Sequence, residues 1–298
     1  MDYPLKIDLH IHTTASDGTD APGELLSRVR AAGIGLFSVT DHDTFKGCAV
    51  LQSIRTVDDP SLLTGVEFSC RDGEGKYHIL GYGFDPGAEP IRQVVEMGHR
   101  YRMNKVRARL GFLESSFGIC FPEDEIRALF ALDNPGKPHI GNLMVKYGYA
   151  RTKEEAITEY INHIHFCSEY VRPEEAIQGI LDAGGIPVLA HPSYGSGDEL
   201  IIGQEMDGRL RRLMDFGLQG VEAFYSGFTK KLREEMLSFA ERYGLYVTAG
   251  SDYHGRNKMV LLGDTGLCDT DEWPEGLRRF LTDLRKQDRK EIWHNKKT

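Results

Sequence analysis

Seven short apolar runs recur along this 298-residue chain, and most of them end on a histidine or a carboxylate. The runs are Ile7–His12, Leu36–Thr40, Leu62–Phe68, His78–Tyr82, Pro187–Ala190, Gly220–Phe224 and Tyr246–Gly250. Helical stretches separate them, and several end in glycine just before a run. Ala32-Gly33 precedes Phe37-Ser38-Val39-Thr40, Ala183-Gly184-Gly185 precedes Val188-Leu189-Ala190, and Tyr243-Gly244 precedes Val247-Thr248-Ala249. Glycine is the expected residue just past a helix C-terminus. The alternation predicts parallel βα units, hence an α/β fold. A βα barrel builds its active site from side chains at the C-terminal ends of its strands. Here those ends carry His10 and His12, Asp41 to Asp43, Glu67, His191, and Asp252 with His254. His78 is the exception, because it opens its run.

The rhythm breaks between residues 86 and 170. Pro90 to Phe117, Pro122 to Leu132, Pro138 to Tyr147 and Thr152 to His163 read as helices. We expect a helical insertion here, capping the mouth of a barrel made from residues 1–85 and 171–298. Glu272 to Lys290 reads as a last charged helix, followed by a short, solvated basic tail.

Composition narrows the function classes. At 40% apolar and 27% charged residues the chain is ordinary for a soluble globular protein. No apolar run approaches the roughly 20 residues of a membrane helix. The start, Met-Asp-Tyr-Pro-Leu-Lys-Ile-Asp, lacks the pattern of a signal peptide, so a cytoplasmic location is expected. A net charge of −9 gives no long-range attraction for nucleic acid. It leaves room for a small phosphorylated ligand held by local cations. Five cysteines, Cys48, Cys70, Cys120, Cys167 and Cys268, form no C-x-x-C pair. They fit neither a disulfide framework nor a zinc ribbon.

The chemistry lies in the histidines. On a strand, positions i and i+2 face the same way, so His10 and His12 converge on one point, as a metal ion requires. Asp17 follows, then Asp41-His42-Asp43 after a second strand. Asp252-Tyr253-His254 repeats the i, i+2 arrangement, and Glu67, His78 and His191 complete nine candidate ligands. Nine exceed one tetrahedral site and suit two or three metals sharing a carboxylate, with Glu67 placed to bridge. Mixed nitrogen and oxygen donors without cysteine favour Mn²⁺, Fe²⁺ or Zn²⁺. His163-Ile164-His165 has the same spacing as His10 and His12, but it sits in a helical stretch, where i and i+2 diverge. It is not expected to bind metal.

These motifs resemble a known family. His10-x-His12, Asp41-His42-Asp43, Leu189-Ala190-His191-Pro192 and Ser251-Asp252-Tyr253-His254 look like the four motifs of the PHP (polymerase and histidinol phosphatase) superfamily, in the same order and over most of the chain. The resemblance implies a distorted seven-stranded barrel, (β/α)7, with a trinuclear metal centre. It is closest to stand-alone members that act as nucleoside 3′,5′-bisphosphate phosphatases, which also carry a helical insertion between the fourth and fifth strands. It implies that one metal takes His10, His12, Glu67 and Asp252, a second shares Glu67 and adds His78 and His191, and a third takes Asp17, His42 and His254.

The insertion adds a further clue. A core stripe on its first helix runs through Ile91, Val95, Gly98, Arg102, Val106 and Leu113. A cation in an apolar stripe is costly unless it meets an anion, so Arg102, with Lys105 one turn on, is expected to reach substrate phosphate. The related phosphatases carry an R-x-x-R pattern here, with Lys105 in place of the second arginine. Lys137-Pro138-His139 resembles their R-P-H element, which gives Lys137 and His139 a substrate-binding role. Gly141-Asn142 stands where the family often has Ala-Arg.

The expected activity is in-line hydrolysis of a phosphomonoester at two to three divalent metals, without a covalent intermediate. Glu67, His191, Asp252, Arg102 and His139 are the expected catalytic residues, with Asp17 and His42 also facing substrate. The proton donor to the leaving oxygen is a metal-held water or His139. The leading substrate is the 3′-phosphate of a nucleoside 3′,5′-bisphosphate. The rivals are a 5′-3′ exoribonuclease acting on short RNA ends, a histidinol-phosphate phosphatase, and a non-catalytic metal- or nucleotide-binding module. No protein partner is expected.

Overall fold

The computed structural model describes residues 6–164, 166, 169–194, 200–268 and 272–294, with side chains as far as residue 284. His165, Cys167 and the last four residues of the basic tail lie outside the described residues. The seven runs form seven strands: β1 (Ile7–Ile11), β2 (Leu36–Val39), β3 (Ser61–Asp72), β4 (Gly75–Tyr82), β5 (Ile186–Leu189), β6 (Gly220–Tyr225) and β7 (Tyr246–Gly250). They make one sheet in chain order. β1 returns against β7, where the Asp252 N–H donates to the His10 carbonyl (2.8 Å) and the His12 N–H to the Tyr253 carbonyl (2.9 Å). The result is a nearly closed seven-stranded barrel ringed by helices.

Parallel pairing fails at one strand. β4 runs antiparallel to both β3 and β5. The reason is local: only Gly73 and Glu74 separate Asp72 from its partner Gly75. A parallel crossover needs about a dozen residues, so so short a link makes a hairpin. This reversal explains His78. The beginning of an antiparallel strand lies at the rim where its parallel neighbours end, and His78 pairs with Ser69, two residues beyond Glu67.

Helices α1 (Pro22–Ala31) and α2 (Lys46–Ile54) follow β1 and β2. α7 (Pro173–Asp182), α8 (Gly203–Asp215), α9 (Lys230–Tyr243) and α10 (Glu275–His294) alternate with the later strands. Gly184 and Gly244 take left-handed φ values of 78° and 63° at the helix-to-strand turns, as their positions predicted. Leu9, Val66, Ile79, Leu80, Val188, Val221 and Val247 fill the main core. No described helix is long and apolar enough to cross a membrane.

Between β4 and β5 stand α3 (Glu89–Phe117), α4 (Glu123–Ala131), α5 (Lys137–Lys146) and α6 (Lys153–Glu159). They share a core of their own, including Val106, Leu113, Leu129, Ile140 and Met144. On α3 the buried stripe takes Val94 where Val95 was expected, and Val95 is only partly buried. α3 approaches the barrel closely at Gly98: a Cβ there would lie 2.9 Å from the Cβ and Oδ1 of Asp43. Overpacking of this kind costs about 1–3 kcal/mol. Gly98→Ala is therefore expected to lower unfolding stability in denaturant by that amount, and an unchanged midpoint would contradict this seating of α3.

Candidate metal centre

The rim formed by the strand ends gathers every ligand candidate. His10 and His12 leave β1 on one face, as the two-residue period requires. Among the described residues three non-glycine residues take left-handed φ values, Asp43 (53°), His191 (27°) and Asp252 (57°), and they lie in the turns just after β2, β5 and β7. Such backbone persists only where its surroundings impose it, and it concentrates at functional sites. At His191 the imposing contact is visible, since its N–H donates to Glu222 Oε2 at 2.7 Å.

Glu67 is the hub. Its Oε1 lies 2.8 Å from His78 Nδ1 and 3.3 Å from His191 Nε2. Its Oε2 lies 3.3 Å from His10 Nε2, 3.1 Å from His12 Nε2 and 3.1 Å from His42 Nδ1. Asp252 Oδ1 stands 3.4 Å from each of His10 Nε2, His12 Nε2 and His254 Nδ1. Asp17 closes the third side, with Oδ1 3.3 Å from His254 Nε2 and Oδ2 3.9 Å from His42 Nε2. Donor atoms within 4.8 Å of one another fall into three sets: His10-His12-Glu67, His42-Glu67-His78 and His12-Asp17-His42-His254. Each of the three ligand sets that the family resemblance implies overlaps one of them.

The chemistry of these atoms fits divalent cations. His10 Nε2, His12 Nε2, His42 Nδ1, Asp17 Oδ1 and Glu67 Oε2 are buried and have no hydrogen-bond partner among the described residues. Buried polar atoms normally find one, so five orphans crowded together are a set that divalent cations would satisfy. Charge coupling points the same way. Burial pushes the Glu67 carboxyl up, but His78, His10 and His42 hold it well below the usual carboxylate range. Asp17 is likewise held low against burial by His42 and His254, and Asp252 by His10 and Lys258. Burial pushes His12 down, yet the nearby Asp252 and Glu67 carboxylates outweigh it and lift the ring to about 9.

Several functional positions were not anticipated. Glu222, buried on β6, accepts from His10 Nδ1 at 2.9 Å and so fixes which ring nitrogen faces the site. Its trace in the sequence is a lone acid in the apolar run Gly220-Val221-Glu222-Ala223-Phe224. Lys258 bonds Asp252 Oδ2 and donates to the Tyr225 hydroxyl at 2.9 Å, and nothing in its loop sequence marks it. Asp41 and Asp43, grouped with the ligand-type strand ends, do other work. Asp41 accepts from the Thr13 N–H (2.7 Å), the Thr13 hydroxyl (2.7 Å) and the Ser16 hydroxyl (2.6 Å), which shapes the turn that carries Asp17.

Asp43 receives Arg102. Its Oδ2 lies 2.9 Å from Arg102 Nη2 and 3.0 Å from Nε, and Nη2 also donates to Ser69 Oγ at 2.9 Å. The first anion Arg102 meets is thus the protein's own, and Nη1 is left for others. His139 accepts the Gly136 N–H on Nδ1 at 3.0 Å. Burial pushes it down, with Arg102 acting the same way against Asp17. The ring is therefore neutral near pH 7 and carries its proton on Nε2. Lys137 donates to Asn162 Oδ1 at 2.6 Å, and Lys105 points into the ring of Tyr170. His163 packs edge-on against Phe117, away from this centre. The mouth of the site is a cavity of about 270 Å³ lined by Asp17, His42, Glu67, His78, Pro138, His191, Asp252, His254, Asn257 and Lys258.

Known proteins are similar to this chain in sequence and fold. No family model matches it. A 3′,5′-nucleoside bisphosphate phosphatase from Chromobacterium violaceum is 30% identical over 261 residues, covering 84% of this chain and 87% of the relative. A 5′-3′ exoribonuclease from Haemophilus influenzae is 30% identical over 269 residues, covering 87% and 93%. Among solved structures, a protein from Bifidobacterium adolescentis assigned as a metal-dependent phosphoesterase superposes with a TM-score of 0.77 at 27% identity, covering 93% of this chain and 95% of its own.

Proposed function

The chain belongs to the PHP superfamily of metal-dependent phosphoesterases, and from that premise we propose that it removes the 3′-phosphate of nucleoside 3′,5′-bisphosphates. The observation that carries the reading is the convergence of five imidazoles on the two oxygens of Glu67, beside the cations of the insertion. The bisphosphate phosphatase named among its relatives supports the substrate.

In this reading His10, His12, Glu67 and Asp252 hold one ion, Glu67, His78 and His191 a second, and Asp17, His42 and His254 a third. Divalent ions bound there supply Lewis acidity and lower the pKa of water. The rest falls to the chain's own groups. Lys258, anchored on Asp252 and Tyr225, puts a positive charge on the cavity wall, where it offsets charge on the transferring phosphoryl group. Arg102 Nη1 and the Nε2–H of His139 are donors for the substrate phosphate, and Lys105 and Lys137 lie beyond them. The Nε2–H of His139 can hydrogen-bond the leaving oxygen, because the Gly136 N–H fixes the tautomer, while the proton that this oxygen gains comes from water. Among the described residues the cavity lining holds no serine, threonine or cysteine, which favours attack by water over a covalent intermediate.

The test is phosphate release by metal-stripped protein reloaded with Mn²⁺, Fe²⁺ or Zn²⁺. The substrates are 3′-phosphoadenosine 5′-phosphate, 5′-phosphorylated oligoribonucleotides and histidinol phosphate. We expect the bisphosphate to turn over fastest, with activity restored by metal and abolished by His191→Ala. Much faster turnover of the oligomers would replace this reading with the exoribonuclease, and metal binding without phosphate release would leave a binding module.

A further inference from the structure

The helical insertion grips one of the three ligand sets and leaves the other two to the barrel. Asn134, in the loop between α4 and α5, is almost fully buried. Its Nδ2 donates to the backbone carbonyls of His42 (3.1 Å) and Asp43 (3.2 Å). Those carbonyls belong to the turn in which Asp43 is held at a φ of 53°. The Asn134 amide is itself fixed, because its Oδ1 accepts from His99 Nδ1 on α3 at 2.7 Å. Two residues on, the insertion reaches another member of the set: at Gly136 a Cβ would lie 3.4 Å from Asp17 Oδ2.

A second grip runs through Asn257, in the turn after β7. Its Nδ2 donates to the Asp17 carbonyl at 2.7 Å, and its N–H donates to the His254 carbonyl at 3.3 Å. From the insertion, Asn142 Nδ2 donates to Asn257 Oδ1 at 3.4 Å, and the Lys153 ammonium bonds the Asn257 carbonyl. Asp17, His42 and His254 are therefore all tied to the insertion through these two asparagines. The remaining ligands lean on barrel groups. His10 and His191 have Glu222, Asp252 has Tyr225 and Lys258, and Glu67 and His78 sit in the paired strands β3 and β4. Among the described residues no hydrogen bond joins the insertion to any of these, or to His12.

A strained turn persists only where its surroundings impose it, and a ligand left loose must be ordered when its ion arrives. We propose that Asn134 and Asn257 are positioning residues through which the insertion holds the Asp17–His42–His254 set in place, so that docking of the insertion and binding of that ion favour each other. The inference rests on the three-ion reading above. Such coupling is reciprocal: the ion tightens the insertion by as much as the insertion tightens the ion. The insertion then builds part of the centre as well as capping it, and one ion of the three reports its position.

The experiment is calorimetric titration of the metal-stripped full chain with Mn²⁺, paired with hydrogen exchange of α5 and α6 with and without Mn²⁺. The proteins are the wild type, Asn134→Ala, Asn134→Asp, Asn257→Ala, Asp17→Ala, and Asp17→Ala combined with Asn134→Ala. The wild type is expected to take up three ions. Asn134→Ala and Asn257→Ala should each weaken one of them about 10–100-fold, the usual effect of removing a group behind a ligand, and leave the other two unchanged. Asn134→Asp keeps the shape and loses the donor, so it should fall with the alanine variant. Where Asp17→Ala has already removed that ion, adding Asn134→Ala should cost nothing further. Mn²⁺ should slow exchange in α5 and α6 of the wild type, and much less in the asparagine variants. Three ions at wild-type affinity in both alanine variants overturn the proposal, as does wild-type behaviour of Asn134→Asp or an equal weakening of every ion. A wild type that takes up two ions or fewer refutes the three-ion reading instead, and shows this without any variant.

Discussion

Glu67→Gln is expected to abolish metal-dependent phosphate release. Both oxygens of Glu67 are engaged, Oε1 by His78 and His191 and Oε2 by His10, His12 and His42. The substitution keeps shape and burial but changes two things. It removes a negative charge from the middle of the cluster, and it turns an acceptor into an NH₂ group aimed at imidazole nitrogens that must offer lone pairs to a cation. Replacing a carboxylate that stands behind a ligand costs about 10–100-fold in metal affinity or activity, and a shared ligand must exceed that range. Glu222→Gln supplies the comparison, because Glu222 acts only through His10 Nδ1 and the His191 N–H. Its loss is expected to fall within that range. Metal content after dialysis and phosphate release, measured on both variants, check the order. Full metal content and full turnover in Glu67→Gln would remove Glu67 from the centre of the chemistry.

The difference between these two glutamates also marks how far the sequence could be read. Glu67 was legible because it closes the stretch Thr64-Gly65-Val66-Glu67 near the end of an apolar run, although β3 continues past it to Asp72. His10 and His12 were legible because a strand's two-residue period needs no knowledge of the rest of the fold. Glu222 sits in the middle of a run, and its partner His10 is 212 residues away, so only the closed barrel brings them together. His78 looked like an exception because it opens its run, and a run of apolar residues carries no direction. The direction came from the two-residue hairpin at Gly73-Glu74. Arg102 stood out as a cation in an apolar stripe and was assigned an external anion. The structure gives it Asp43 first, a residue whose neighbour His42 drew attention to metal binding instead.

Lys105→Met is expected to make the protein more stable near pH 7 while weakening its hold on phosphate. Lys105 is buried, and burial lowers its folded value from 10.5 to about 7. Between those two values the unfolded chain binds the proton more readily than the folded one. Stability therefore rises with pH from about 7 to about 10.5, and the charged ammonium is a burden to the fold below that window. Methionine has a similar length, no charge and a sulfur suited to the Tyr170 face. Replacing buried charge with well-packed apolar groups stabilises by about 1–4 kcal/mol, somewhat less here because a cation–π contact is lost. Denaturant unfolding of both proteins between pH 7 and pH 10 checks this. The variant should start more stable and show a flatter slope, and a variant less stable at pH 7 would mean that Lys105 has an anionic partner in the free protein. Adding adenosine 5′-monophosphate should then narrow the gap. The wild-type ammonium gains the phosphate it lacks and the methionine does not, so the charge that weakens the empty fold is the one that strengthens the occupied one.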